Sequence, residues 1–155
     1  MKTVFLILSH LIFGALGFAL GIYALPILTQ PTSPSMAIIE QVNHEALYTG
    51  SFQRDRTDSD FLHWGVGSVA ISKNNIAFVG ELAPGPDYKL YLSPVFIETE
   101  QSFAANKDQM VRIGDVKTFD RFTLPVDEEV NVSNYNTIVI WCETFGEFIS
   151  SARYK

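Results

Sequence analysis

Thr137-Ile138-Val139-Ile140-Trp141-Cys142 is the stretch on which the fold turns. It is rich in β-branched and aromatic residues and holds no Gly or Pro, the composition of a strand. Successive side chains of a strand point to opposite sides, so Thr137, Val139 and Trp141 share one face and Ile138, Ile140 and Cys142 the other. Both faces are apolar, which predicts a central strand covered on two sides.

Short apolar segments separated by turn residues flank it on the N-terminal side. Gly65 to Ser72 alternates, Lys73-Asn74-Asn75 supplies a turn, and Ile76 to Val79 returns as a hairpin partner. Tyr88 to Leu92 follows the tight Pro84-Gly85-Pro86-Asp87 turn. Tyr48 to Phe52, Val111 to Val116, Arg121 to Leu124 and Phe148 to Tyr154 complete about eight strands, the pattern of an all-β antiparallel sandwich. Pro94 to Gln109 reads as a long connection, with no sustained helical period after Glu45. Twelve Phe, six Tyr and two Trp supply the bulk of a core.

The first 28 residues are of another kind. Val4 to Leu28 contains no Asp, Glu, Lys or Arg, and its polar exceptions are Ser9, His10 and the Tyr23 hydroxyl. About 20 apolar residues cross a bilayer core as a helix. Residues 4–28 are therefore expected to span lipid. Tyr23-Ala24-Leu25-Pro26 offers no small-x-small cleavage site, so residues 1–28 are expected to persist as a signal anchor rather than be removed. Lys2 precedes the apolar run and the next Lys or Arg is Arg54. Positive charge stays cytoplasmic, which predicts a single-pass protein of the cytoplasmic membrane with its C-terminal domain outside, periplasmic or extracellular. His10 reads as neutral or snorkelling near the inner face. Gly14, Gly17 and Gly21 form a small-residue stripe through which two anchors could pair as a homodimer.

Thr29 to Ser35 (TQPTSPS) is an extended spacer, and Ser35 can cap a short helix reaching Glu45 with Met36, Ile39 and Val42 on one side. Three units are thus expected: anchor 1–28, spacer and short helix 29–45, and sandwich 46–155. The formal net charge is −6. An acidic outer domain without a basic patch argues against nucleic acid as a partner and leaves attachment to lipid to the helix.

Cys142 is the only cysteine. A lone thiol facing an oxidising compartment has three readings: buried and inert, bonded to a partner chain, or a redox or cofactor-binding group. Glu143 and Glu147 are its charged neighbours in sequence, and negative charge raises a thiol pKa. His63, ahead of a glycine-rich strand, is the second candidate; its bland alternative is a hydrogen bond across a turn. Asp87 can bind a cation or cap a turn. No zinc spacing, nucleophile elbow or phosphate-binding glycine loop is present.

The residues from about Gly50 to Tyr154 resemble a known family. The elements are Gly50-x-Phe52, His63 leading into Gly67-Ser68-Val69, Gly85-Pro86-Asp87 followed by Tyr91-Leu92-Ser93, Ile113-Gly114, Leu124-Pro125, Tyr135, and Val139-Ile140-Trp141-Cys142 with Phe145, Phe148 and Ala152. In order and spacing this is similar to the DM-thirteen, or electron-transfer DM, domain. The resemblance implies a β-sandwich and a redox role for the characteristic cysteine, matched by Cys142, as a bare thiol or as a ligand of a group such as haem. His63 fits the family's His-x-x-x-Gly pattern, and imidazole with thiolate can hold a metal or haem iron. No DOMON or cytochrome domain accompanies it here, so a redox relay is expected to use a separate partner. The competing expectation is a non-catalytic binding or scaffold domain with Cys142 packed in its core.

Overall fold

The computed structural model describes residues 1–155. Helix α1 (Lys2–Thr29) is largely apolar, has none of its residues buried, and is long enough to cross a membrane. Pro26 lies in its last turn. Gly14, Gly17 and Gly21 face open space. Helix α2 is Met36–His44. Eight strands follow: β1 (Tyr48–Phe52), β2 (Gly65–Ile71), β3 (Asn75–Leu82), β4 (Tyr88–Ser93), β5 (Val111–Val116), β6 (Arg121–Pro125), β7 (Thr137–Cys142) and β8 (Glu147–Arg153).

The strands form two antiparallel four-stranded sheets, in the orders β1-β2-β3-β6 and β5-β4-β7-β8. Strand β7 is interior to its sheet and every residue of it is buried, as its two apolar faces require. Ile138, Ile140 and Cys142 point into the main core, where they meet Phe52, Phe78 and Phe122 of the opposite sheet. Phe78 stacks on Phe122 and meets Phe52 edge-on, at centroid separations of 5.1 and 5.4 Å. The other face of β7 presents Val139 and Trp141 to a smaller cluster with Tyr91, Ile97, Phe103 and Phe148.

That second cluster exists because residues 94–109 are not a plain connection. They contain helix α3 (Glu100–Asn106) and a 3₁₀ turn at Lys107–Gln109. The Thr99 hydroxyl accepts from Ser102 N–H, and Ser102 Oγ accepts in turn from Thr99 N–H. This reciprocal cap starts a helix that buries only Phe103. Helix α2 covers the outer face of the first sheet in the same way, setting Ile39 and Val42 on Ala70 and Ala77. Met36, expected on that buried side, is exposed. It sits a turn before the two residues that reach the small side chains of β2 and β3. Ser35 occupies the N-cap position of α2 but makes no side-chain cap.

The Lys73–Asn75 turn closes on Ser72, whose Oγ accepts from Asn75 N–H at 3.0 Å. The spacer runs along the sandwich, where Ser33 Oγ donates to Asp120. Leu16 to Tyr23 of α1 lie beside Pro84 to Tyr88 and Cys142 at one end of the sandwich.

Candidate functional site

The site is built at the end of the second sheet where β4 begins and β7 ends. Tyr88 and Cys142 are direct cross-strand partners, both facing inward. The Tyr88 hydroxyl donates to Ala83 O at 2.8 Å and closes the Ala83–Tyr88 loop. Gly85 lies against the Tyr88 ring so closely that a Cβ there would stand 2.5 Å from Tyr88 Cε1, so any side chain would displace the ring. Asp87 then pins the turn after Cys142. Its carboxylate accepts from Lys89 Nζ at 2.6 Å and from Thr144 Oγ1 at 3.0 Å, and its carbonyl accepts from Glu143 N–H at 3.1 Å. The Asp87 carboxylate is thus engaged by one ammonium and one hydroxyl.

Over this corner lies a cavity of about 460 Å³. Its inner wall is Tyr88, Cys142 and Ile149; its rim is Leu62, His63, Gly85, Pro86 and Phe145; its outer wall is α1, from Leu16 to Tyr23. Cys142 and His63, far apart in sequence, thus line one space. Trp141 does not: it points to the opposite face of the sheet and stacks on Phe103. His44 and His10 are exposed and lie elsewhere.

Cys142 is 2% exposed. Burial pushes its thiol above the ordinary range, and the Asp87 carboxylate adds to this, while the backbone N–H groups of Phe145, Asp87 and Thr144 pull the other way. The sequence neighbours Glu143 and Glu147 are not the cause. Glu143 is turned away, accepting from the Tyr91 hydroxyl and pairing with Lys107 Nζ at 3.0 Å.

His63 is both a turn residue and a cavity residue. Asp60 Oδ1 accepts from Leu62 N–H and His63 N–H, each at 2.7 Å, and Asp60 Oδ2 lies 3.2 Å from His63 Nδ1. These hydrogen bonds hold the Asp60 carboxyl below its usual range against a desolvation that pushes the other way. An ionised carboxylate only accepts, so Nδ1 carries the proton and Nε2 is left for other partners. Asp60 was not singled out in the sequence, although the Asp60-x-x-His63 spacing is the signal that could have found it. The convergence of Tyr88, Leu62 and α1 on Cys142 has no such signal.

A family profile described as Electron transfer DM13 matches residues 51–154, from within β1 to just past β8. The chain belongs to that family. Searches of curated proteins and of solved structures found no match.

An electron-transfer DM13 domain invites a test of what its site could hold. No group of three or more His, Cys, Asp or Glu side chains comes together to bind a metal ion. Cys142 and His63 are the donors suited to haem iron, but no Lys or Arg lines the cavity to pair with haem carboxylates. The lining of this DM13 domain fits an uncharged, largely apolar molecule and not haem.

Proposed function

We propose that this DM13 chain is a membrane-tethered electron-transfer module outside the cytoplasmic membrane, working at the cavity between its anchor and its sandwich. Cys142 is the redox-relevant group on the cavity's inner wall and His63 the polar group at its rim. The observation that carries this reading is the meeting of the family cysteine and the family histidine in one apolar space roofed by the anchor. The outward orientation rests on Lys2 before the helix and the absence of any Lys or Arg from there to Arg54.

The test compares wild type with Cys142→Ala in right-side-out membrane vesicles supplied with a respiratory substrate as the electron donor, reading reduction of ferricyanide, which does not cross lipid. The expectation is a loss of about tenfold or more at a temperature where Cys142→Ala, which gives up the packing of one core sulfur, is still fully folded. An equal rate in Cys142→Ala overturns the role given to the thiol. Protease added outside should remove the sandwich and leave α1; full protection would reverse the orientation.

A second reading, a binding domain in which Cys142 only packs, is favoured by its 2% exposure and raised pKa. It predicts that Cys142→Ala changes stability and no cellular rate.

A further inference from the structure

The outer wall of the cavity says where its contents come from. Any 20-residue segment of Lys2–Thr29 chosen to cross the bilayer core includes Leu16, Ala19 and Leu20. These three residues line the cavity, so it opens beside a part of the anchor that lies in lipid. With Tyr23 at the outer boundary, Leu16 is about 10 Å deeper at 1.5 Å per residue, the reach of an interfacial insertion of about 5–10 Å. The sandwich loops that meet this segment are built for such a depth. Phe61 is 82% exposed, Phe145 52% and Leu62 41%, three large apolar side chains on two loops flanking the anchor.

The polar groups inside are few and specific. Tyr88 spends its hydroxyl proton on Ala83 O. The Nδ1 edge of His63 faces Asp60, so in the neutral ring with Nδ1 protonated Nε2 is the acceptor. A ligand that satisfies this site is neutral, mostly apolar, soluble in lipid, and carries a hydroxyl to donate. A volume of about 460 Å³ is within the range of pockets for compact organic ligands, roughly 300–1,000 Å³.

We propose that this cavity binds the head group of a prenylated quinol drawn from the outer leaflet, with a ring hydroxyl donating to His63 Nε2 and the first part of the tail running along Leu16–Tyr23. The choice of a redox-active lipid over an inert one rests on the electron-transfer reading above; the lipid-side opening and the hydroxyl acceptor do not. Only binding is proposed.

The test uses the full chain in phosphatidylcholine nanodiscs, titrated with decylubiquinol and read by quenching of Trp64, the neighbour of His63. Trp64→Phe identifies that signal. Wild type should show saturable quenching. Ala19→Phe fills the cavity from the anchor side while leaving every sandwich residue unsubstituted, and should weaken binding about tenfold or more. His63→Phe removes the acceptor and should weaken it about three- to tenfold. Quenching that fails to saturate, or that Ala19→Phe leaves unchanged, overturns the site. Competition by dodecanol as strong as by decylubiquinol makes it an acyl-chain pocket and overturns the ligand class. Saturable binding beside a fully active Cys142→Ala would sink the electron-transfer role of the thiol and leave the site standing; no binding beside an inactive Cys142→Ala would do the reverse.

Discussion

Trp141 and Phe103 lie face to face, with ring centroids 3.9 Å apart and planes within 5° of parallel. The pair joins the outer face of β7 to the seven-residue helix α3. Tyr91 meets Phe103 edge-on at 5.3 Å, so one side chain anchors the whole segment to the sheet. Phe103→Ala is expected to cost about 3–5 kcal/mol and to undock α3, leaving the main core between the sheets in place. Chemical denaturation with hydrogen exchange measures both. Rapid exchange confined to residues 99–110 is the expected pattern, and a stability unchanged within 1 kcal/mol contradicts the anchoring role.

How far the chain could be read follows from these same residues. The alternation in Thr137–Cys142 gave both faces of β7 correctly, because a period of two survives in six residues. Helix α3 escaped because seven residues hold only two turns and its cap uses Ser102 where Glu or Gln would signal a capping box. Met36 was misplaced because an apolar residue one turn from Ile39 satisfies the helical period whether or not the sheet extends beneath it. Cys142 and His63 were each visible as unusual residues. Their shared cavity depends on the pairing of Tyr88 with Cys142 and on the position of α1 at that end of the sandwich, and a chain read locally contains neither.

Two glycines face each other across the first sheet where no side chain has room. Gly67 (φ 148°) and Gly80 are cross-strand partners, and a Cβ on either would lie 2.6 Å from the other's Cα. Neither strand can yield without losing its ladder. Gly80→Ala is expected to destabilise the sandwich by about 1–3 kcal/mol through displacement of β2 from β3. A thermal melt equal to wild type would show that the strands can part without cost.

Lys89 bridges two carboxylates, Asp87 at 2.6 Å and Asp115 at 3.0 Å. Its ammonium is the first cause that holds both below the ordinary Asp range, and Asp87 is the first cause of its own raised pKa. A depressed carboxyl stabilises the fold above its unfolded pKa, about 3.9, and that contribution fades as pH falls through the lower folded value. The raised lysine contributes below about pH 10.4 and loses its share as pH rises through the folded value. Lys89→Met is therefore expected to cost about 1 kcal/mol across neutral pH, a modest figure because the carboxylates are about one-third exposed. The gap to wild type should narrow as pH drops below about 4 and narrow also in high salt. A gap independent of pH would assign the loss to packing of the lysine stem alone.

Cys142 should behave as a protonated, sheltered thiol in the folded chain. Its sulfur has Tyr88 across the ladder, Asp87 near it and α1 over it, and burial leaves less thiolate at neutral pH than a free cysteine carries. Native alkylation by iodoacetamide is expected to run about 100-fold or more below the rate in urea, with the rise in rate displaced to a more alkaline pH than for the unfolded chain. Lys89→Met supplies the internal comparison. It frees the Asp87 carboxylate that accepts from Thr144 Oγ1, so the turn after Cys142 opens more often and the native rate should climb while the unfolded rate stays the same. A native rate equal to the unfolded one would mean that the thiol meets solvent freely, and neither its place in the core nor the roof over the cavity could then be maintained.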